Sequence, residues 1–209
     1  MTQYAFYFNG KRCTGCKTCE LACKDRYDLT PEISYRKVFE YGGGDWTKDA
    51  DGFYVPDVFT YYVSVACNHC DDPACTKVCP TGAMHKDADG GLVLVDADRC
   101  IGCGYCHMAC PYNAPKVDRE KGHTVKCDGC AERVAAGQKP ICVEACPLRA
   151  LDFGTKEEME QVHGDSQVAD IAPLPQKEYT HPNLFVDPCK HAQMANEATG
   201  KVANILEVM

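Results

Sequence analysis

Residues 100–111 read Cys-Ile-Gly-Cys-Gly-Tyr-Cys-His-Met-Ala-Cys-Pro, which is four cysteines closed by a Cys-Pro dipeptide. Three thiolates at positions i, i+3 and i+6 lie on one short loop, close enough to bind three corners of an iron-sulfur cubane. The fourth cysteine follows about one helical turn later and serves a different cluster. Pro111 lacks a backbone donor and disfavours helix at the residue before it, so the segment ends at its ligand.

Four cysteine sets of this kind occur along the chain and form an internal repeat. The last three sets end in Cys-Pro, at Pro80, Pro111 and Pro147, whereas the first ends in Cys23-Lys24. Cys189 is left over in a proline-flanked segment, and we expect it to be an unreactive thiol rather than a reactive thiol or a stray ligand. The first set is Cys13, Cys16, Cys19 and Cys23; the second is Cys67, Cys70, Cys75 and Cys79; the third is Cys100, Cys103, Cys106 and Cys110; the fourth is Cys127, Cys130, Cys142 and Cys146.

The composition excludes several classes of protein. The sequence has 209 residues, enough for one or two domains, and its formal charge of -8 argues against a nucleic-acid binder, which needs a basic face. Seventeen cysteines would suit a disulfide scaffold in a short secreted chain, but residues 1–9 lack the basic and apolar regions of a secretory signal, so we expect free thiols. We also expect no transmembrane segment, because no run approaches the roughly 18 apolar residues that a membrane span needs.

The metal that these cysteines bind has two interpretations. Structural zinc takes four ligands from two Cys-x2-Cys knuckles, and the fourth set alone could serve that purpose. The Cys-Pro ending and the other three sets favour the ferredoxin repeat instead. Sixteen thiolates then predict four [4Fe-4S] clusters, which would bring the formal charge of the loaded protein to about -16.

Charge of that size needs compensation from the protein. Backbone amides in the tight loops around Gly15, Gly102 and Gly129 are placed to donate to sulfur. Nearby bases are expected either to raise the potentials of individual clusters or to be ordinary solvated surface charges. These bases are Lys11, Arg12, Lys17, Arg99, Lys126, Arg133 and Arg149.

The stretches between the sets predict an α+β fold built from two pseudo-symmetric ferredoxin-like units. An alternating run after the turn at residues 87–91 indicates a β-hairpin, which would join the second and third sets in one two-cluster unit. Residues 4–8 and 150–153 are then available as partner strands that close a second unit around the first and fourth sets. Sequential pairing of the third and fourth sets is the alternative.

These considerations divide the chain into four predicted parts. Residues 1–23 with 111–154 form one ferredoxin-like unit, and residues 67–110 form the other. Residues 24–66 form an inserted hairpin with strands at 33–41 and 58–66, and Trp46 serves there as a packed loop anchor. Residues 155–209 begin with a capping box, Thr155 to Glu158, for a helix ending near Gly164. The rest of that segment is expected to be an extended tail across partner subunits, with disorder as the alternative.

Four histidine and tyrosine side chains near the sets are weaker candidates. His69 stands between two cysteines, where we expect it to support its neighbours or to lie at the surface rather than to bind metal. His85 is expected at the surface. Tyr105 and His107 are expected to pack around the fourth cluster.

The sequence resembles the four-cluster electron-transfer subunits of molybdopterin oxidoreductases, and within them the iron-sulfur subunits of dimethyl sulfoxide reductases. The resemblance rests on the second set, Cys-Asn-His-Cys-Asp-Asp-Pro-Ala-Cys-Thr-Lys-Val-Cys-Pro at residues 67–80, and on four further stretches. Those stretches are residues 12–25, 41–46, 146–154 and 172–175. The resemblance covers nearly the whole chain.

The resemblance implies a nested set of ligands. All four positions of the third set are cysteine, whereas some relatives have tryptophan there and hold a [3Fe-4S] cluster, so four [4Fe-4S] clusters are expected. The resemblance assigns Cys13, Cys16, Cys19 and Cys146 to cluster 1; Cys23, Cys127, Cys130 and Cys142 to cluster 2; Cys67, Cys70, Cys75 and Cys110 to cluster 3; and Cys79, Cys100, Cys103 and Cys106 to cluster 4.

The resemblance also implies the function. Electrons would pass from a membrane anchor subunit that oxidises menaquinol, through clusters 4 to 1, to a molybdopterin subunit that reduces dimethyl sulfoxide and related S- or N-oxides. The protein would need no catalytic residue, would belong to a heterotrimer, and would sit on the periplasmic face of the inner membrane by co-export with the catalytic subunit. The alternatives are the equivalent subunit of a thiosulfate, polysulfide, nitrite or formate enzyme and, more distantly, a zinc-stapled interaction module.

Overall fold

Short strands and short helices alternate along the sequence, in a computed structural model that describes residues 2–164 and 169–208. The mixed α and β architecture confirms the expected fold class in its coarse form. The described strands are Tyr4–Asn9 (β1), Lys37–Gly43 (β2), Trp46–Lys48 (β3), Tyr54–Pro56 (β4), Phe59–Val65 (β5), Met84–Lys86 (β6), Val93–Val95 (β7), Lys116–Asp118 (β8), His123–Val125 (β9), Leu151–Thr155 (β10), Leu184–Asp187 (β11) and Lys201–Val202 (β12). The described α-helices are Thr18–Tyr27 (α1), Ala74–Lys77 (α2), Tyr105–Ala109 (α3), Ala131–Ala135 (α4), Ile141–Glu144 (α5), Lys156–His163 (α6) and Ile205–Val208 (α7).

The two ends of the ferredoxin-like part meet in a three-stranded sheet of order β10-β1-β11. Strand β1 is antiparallel to β10, in a register that runs from Tyr4 opposite Thr155 to Phe8 opposite Leu151. This is the strand pairing expected from the sequence. Phe6 and Phe8 are buried in the main core, which also contains most of the buried cysteines. The sheet therefore places the residues just before the first cysteine set close to those just after the fourth.

Two small hairpins frame the middle of the sequence. Strands β6 and β7 are antiparallel, with His85 opposite Leu94, as expected for the turn at residues 87–91. The Asp87 carboxylate accepts from the N–H of Gly90 at 2.7 Å, which stabilises that turn. Strands β8 and β9 form a second hairpin that the sequence did not predict.

The inserted segment forms its own sheet. Strands β2 and β5 pair antiparallel over their full length, from Lys37 opposite Val65 to Gly43 opposite Phe59, and β12 joins the other edge of β2. Strands β3 and β4 form a separate hairpin between them. Trp46 lies on that hairpin and is 57% exposed, so its prediction as a packed anchor is wrong.

The C-terminal segment folds back on the rest of the protein. Strand β11 lies parallel to β1, and the side chains of Leu184 and Val186 are buried there because the open edge of β1 offers both hydrogen bonds and an apolar surface. Val208 in α7 is also buried. The alternative of a disordered tail is therefore wrong for residues 169–208. Residues 165–168 and Met209, which belong to the same predicted segment, lie outside the described residues.

No helix within residues 2–164 and 169–208 has the length and the apolar character of a membrane-spanning helix.

Helix α6 begins with the capping box that the sequence predicts. The hydroxyl of Thr155 accepts from the N–H of Glu158 at 3.2 Å, and the Glu158 carboxylate accepts from the N–H of Thr155 at 2.8 Å. The helix ends at His163, before Gly164 with a φ of 78°.

We predict that Thr155→Ala weakens helix α6, because it leaves the N–H of Glu158 without its acceptor. The expected cost is about 1 kcal/mol, which corresponds to roughly fivefold faster amide hydrogen exchange in the helix. Gln161→Ala is the control, since this exposed residue lies on the same helix but outside the cap. Equal exchange rates in Thr155→Ala and the wild type would contradict the prediction.

Candidate metal centres

All seventeen cysteines lie within the described residues, and all are free thiols. Cys16 and Cys103 are exposed, and five others are partly buried. The remaining ten are buried in the protein interior. They are Cys19, Cys23, Cys67, Cys70, Cys75, Cys106, Cys127, Cys130, Cys142 and Cys146. Unpaired thiols at this density in a protein interior are typical of metal binding rather than of a disulfide scaffold.

The first group of thiols combines the first and fourth sets. Cys13, Cys16, Cys19 and Cys146 line one small cavity, whose other walls include Phe8, Val38 and Leu151. The pairing of β1 with β10 produces this meeting, because it places Cys146 next to the loop that carries the first three cysteines. The N–H of Ala150 donates to the sulfur of Cys146 at 3.2 Å.

The second group lies where α1 packs against α5. Burial, together with the neighbouring charges of Cys142 and Cys130, raises the pKa of Cys23 to about 12. Burial also raises the pKa of Cys127 well above its usual value, and the charge of Cys23 adds to that rise. Three cysteines of the fourth set thus surround the last cysteine of the first. The N–H of Gly129 donates to the sulfur of Cys127 at 3.4 Å.

The third group joins the second set to the last cysteine of the third set. Burial, then the charges of Cys67 and Cys110, raise the pKa of Cys75 to about 12. Burial raises the pKa of Cys70 to about 12 as well, although the Thr180 hydroxyl opposes that rise. Helix α2 packs against α3, which leads toward Cys110.

The fourth group occupies a second small apolar cavity. Cys79, Cys100, Cys103 and Cys106 line it, and the side chains of Met84, Val95 and Ile101 complete its walls. The N–H of Met84 donates to Cys79 and the N–H of Thr124 donates to Cys100, both at 3.4 Å. The Thr124 hydroxyl lies 3.5 Å from the sulfur of Cys106, so β9 covers this group from outside.

The residues present fit the [4Fe-4S] clusters that the cysteine spacing implies. Each group brings together sulfur atoms from two segments of the sequence. Their surroundings are apolar, so a thiolate without a partner is disfavoured there and a bound metal ion stabilises it. Backbone N–H groups donate to sulfur in three of the four groups, and such bonds stabilise the negative charge of a cluster. Which sulfur binds which cluster stays a prediction.

The zinc alternative needs all four cysteines of the fourth set at one ion. The structure separates them, since Cys146 lines the cavity of the first group and Cys142 lies among the thiols of the second. Within the described residues, no three His, Cys, Asp or Glu side chains form a group that could hold a single metal ion.

The most deeply buried charged side chain is one that sequence reasoning missed. Arg36 is 1% exposed, and its guanidinium lies between the first and second groups of thiols. Of the bases that the sequence singled out, Lys126 is also buried, whereas Arg12 is exposed. Nothing in the sequence sets Arg36 apart, because it stands in the strand-like run at residues 33–41, where a basic side chain is usually solvated.

The weaker candidates have different surroundings from those expected. His69 is buried, not at the surface, and its Nδ1 accepts from the N–H of Val93 at 2.9 Å. Burial lowers the pKa of His69 well below its usual value, so the ring is neutral. Tyr105 is 53% exposed, so the expectation that it packs around the fourth group is wrong. His107 is partly buried at a carbonyl of the Pro115 loop, and His85 is exposed, as expected.

Cys189 belongs to none of the four groups. It is partly buried against the edge of the main core, close to Tyr61, and its charge adds to the pKa of that tyrosine.

We predict that Gly15→Ala lowers the iron content of the purified protein. Gly15 has a φ of 70°, and an added Cβ would lie 2.4 Å from the ring of Tyr62, so the loop of the first cysteine set must shift. Gly137→Ala is the matched control, because it has a φ of 73° and an added Cβ meets no described atom within 4 Å. Iron measured per chain should fall in the first variant and stay at the wild-type level in the second. Equal iron in both would contradict this account of the loop.

Comparisons with known proteins indicate domains that bind 4Fe-4S clusters. A family model described as a 4Fe-4S dicluster domain matches residues 58–156, and one described as a 4Fe-4S binding domain matches residues 11–30. The sequence is 59% identical over 207 residues to the B polypeptide of the anaerobic dimethyl sulfoxide reductase of Escherichia coli K12, with 99% of each covered. It is 58% identical over 208 residues to the protein of the same name in Haemophilus influenzae, with 100% of each covered.

A more distant relative has a different substrate in its name. The thiosulfate reductase electron transfer subunit of Salmonella typhi is 40% identical over 159 residues, which are 76% of this chain and 79% of that one. The higher identity and the full coverage of the first two relatives decide the family. This protein belongs to the family of anaerobic dimethyl sulfoxide reductase B polypeptides, whose domains are of the 4Fe-4S type.

Proposed function

We propose that this protein relays electrons through four [4Fe-4S] clusters between a membrane anchor subunit and a molybdopterin-containing catalytic subunit. It is an electron-transfer subunit of a dimethyl sulfoxide reductase and has no catalytic site of its own. The observation that carries the proposal is the grouping of sixteen thiols into four interleaved quartets. Each quartet draws its sulfur atoms from two separate parts of the sequence, which no single zinc knuckle requires.

The proposed ligands follow the four groups. The first and fourth quartets are supported by the cavities that their four cysteines line together. The second and third quartets are supported by the effect that each thiol's charge has on the pKa of its neighbours. We assign Cys13, Cys16, Cys19 and Cys146 to cluster 1; Cys23, Cys127, Cys130 and Cys142 to cluster 2; Cys67, Cys70, Cys75 and Cys110 to cluster 3; and Cys79, Cys100, Cys103 and Cys106 to cluster 4.

The neighbouring thiols of different groups support one order of the clusters along the relay. The charge of Cys19 in the first group reaches Cys142 in the second, and the charge of Cys67 in the third group reaches Cys127 in the second. Cys75 of the third group lies in α2, and Cys79 of the fourth follows just after that helix. These contacts support a linear order of clusters 1, 2, 3 and 4.

Only the two ends of this row have exposed cysteines. They are Cys16 of the first group and Cys103 of the fourth, whereas the middle groups are covered by protein. Exposed apolar side chains stand beside both ends: Leu21 and Leu206 near Cys16, and Ile101 near Cys103. A row of clusters that is exposed at both ends, with apolar side chains beside each exposed cysteine, suits contact with two different partner subunits.

We assign the partners by the resemblance of this protein to its family. The catalytic subunit would dock at cluster 1, and the anchor subunit that oxidises menaquinol would dock at cluster 4, giving a heterotrimer. The complex would reduce dimethyl sulfoxide and related S- or N-oxides. It would lie on the periplasmic face of the inner membrane, with this protein held there by the anchor subunit after export with the catalytic subunit.

The residues of this protein serve the relay by holding the clusters in place and by shielding them from water. When bound, a [4Fe-4S] cluster takes up and releases one electron at a time. The thiolates are fixed by short loops and helices, the apolar walls exclude water, and the N–H groups stabilise charge on sulfur. No side chain needs to form or break a bond with the substrate.

The equivalent subunit of a thiosulfate reductase is the second candidate. The relative from Salmonella typhi supports it, but at 40% identity it is more distant than the dimethyl sulfoxide reductase relatives at 58% and 59%. The substrate of the partner subunit separates the two candidates.

We predict that the complex purified without oxygen contains about sixteen iron atoms per copy of this protein and no stoichiometric zinc. Its clusters, once reduced with dithionite, should be reoxidised when dimethyl sulfoxide is added, which the loss of the reduced-cluster EPR signals would show. Reoxidation by thiosulfate and not by dimethyl sulfoxide would favour the second candidate. A colourless protein that holds zinc would exclude both.

We predict that cysteines from the first and the fourth sets support the same cluster. Cys13→Ser and Cys146→Ser should alter the same EPR signal of the reduced complex, while Cys23→Ser and Cys142→Ser should alter another. Cys189→Ser is the control and should leave every signal in place, because Cys189 lies outside the four groups. If Cys146→Ser changed the signal affected by Cys142→Ser instead, the interleaved assignment would be wrong.

A further inference from the structure

A buried arginine stands between the first two thiol groups. Arg36 precedes strand β2 and is 1% exposed, so water does not screen its charge. Its Nη1 donates to the Ser64 hydroxyl at 3.2 Å, and that hydroxyl lies 3.4 Å from the sulfur of Cys19. The guanidinium carbon is 4.7 Å from the ring centre of Phe6 in the main core.

No carboxylate within the described residues neutralises this charge. Arg36 is absent from the ion pairs found there, and its Nε and Nη2 have no oxygen or nitrogen partner among them; the hydrogen-bonding neighbour that raises its pKa is the thiol of Cys142. Burying an unpaired cation is costly, so the structure needs negative charge nearby. The groups that meet this need are the thiols of Cys142, Cys19 and Cys127, whose charges raise the pKa of Arg36 against the opposing effect of burial.

The three thiols come from both groups. Cys19 is in the first group, whereas Cys127 and Cys142 are in the second. Burial raises the pKa of Cys142, and the charge of Arg36 opposes that rise. Arg36 therefore acts on sulfur atoms of two neighbouring quartets.

We propose that Arg36 is a positioning residue of the electron relay that sets the reduction potentials of clusters 1 and 2 together. The inference rests on the proposed function and deepens it. Reduction adds one electron, hence one negative charge, to a cluster, and no proton has to follow. A fixed positive charge in a poorly screened interior stabilises that added charge, so it makes both clusters easier to reduce.

A second buried cation provides a comparison within the same protein. Lys126 is buried, with its ammonium group at the carbonyl oxygens of Val93 and Cys127. Its charge opposes the raised pKa values of Cys75 and Cys110, two thiols of the third group. Lys126 should accordingly act on cluster 3, as Arg36 acts on clusters 1 and 2.

The test is a redox titration of the intact complex, followed by EPR, in the wild type and in Arg36→Met. The variant keeps much of the apolar volume and removes the charge. At the wild-type midpoint potentials of clusters 1 and 2, the ratio of reduced to oxidised cluster should fall by roughly tenfold, about 59 mV for a one-electron couple. The other two clusters should keep their potentials. Arg36→Lys should bring the potentials of clusters 1 and 2 most of the way back to their wild-type values, since it returns the positive charge.

Two matched variants sharpen the result. Lys126→Met should lower the potential of cluster 3, and Lys48→Met, which removes an exposed charge on β3, should leave all four potentials unchanged. Iron per chain is measured in every sample. If Arg36→Met loses iron, Ser64→Ala is titrated instead, because it removes only the hydrogen bond that positions the guanidinium, and clusters 1 and 2 should then shift in the same direction by less.

Two outcomes would overturn the inference. One is an Arg36→Met complex with full iron and four unchanged potentials, and the other is a shift of all four clusters by the same amount. Where Arg36→Met has lost its iron, unchanged potentials of clusters 1 and 2 in a Ser64→Ala complex would overturn the inference instead. The proposed function fails separately, through a wild-type complex that lacks about sixteen iron atoms per copy of this protein.

Discussion

Negative charge on sulfur inside an apolar interior is the constraint on which the rest of this structure depends. Ten cysteines are buried, and burial raises the pKa of six of them, which disfavours their thiolate form: Cys23, Cys70, Cys75, Cys106, Cys127 and Cys142. Metal ions make the thiolate state possible, but the loaded groups still carry net negative charge in a medium that screens it poorly. The protein answers with N–H groups directed at sulfur and with Arg36 and Lys126, two cations that are almost fully buried. These buried charges and the cysteines depend on each other, because either one alone would be costly in the core.

The interleaving of the quartets follows from strand pairing. Cys146 can join the first cysteine set only because β10 returns to pair with β1, at the other end of the ferredoxin-like part. Each pairing of this kind closes a long loop, which costs conformational entropy that local contacts do not repay. Four shared metal centres would tie these distant segments together and offset that cost, in the same way that structural zinc contributes to folding.

The sequence predicted those features that depend on local chemistry. The cysteine spacing, the capping box of Thr155 and Glu158 and the hairpin of β6 and β7 all follow from a few adjacent residues. The pairing of β1 with β10 could also be predicted, since two apolar segments lacked partners. The burial of Arg36, the exposure of Trp46 and the parallel strand β11 could not, because each depends on which distant surfaces are left open after the core has formed. A basic residue in a strand is usually solvated, and only its neighbours in space show otherwise.

The C-terminal segment illustrates how a distant element completes a site. The N–H groups of Asp71 and Asp72 donate to the carbonyls of His181 and Thr180, and the Asn183 side chain donates to the carbonyl of His69 at 2.9 Å. The loop of the second cysteine set is thereby held from outside by a segment that contributes none of the sixteen proposed ligands. The Thr180 hydroxyl also opposes the rise that burial causes in the pKa of Cys70. In the proposed relay the second set serves a middle cluster, and a tail that closes over this set shields it from water without adding another helix or domain.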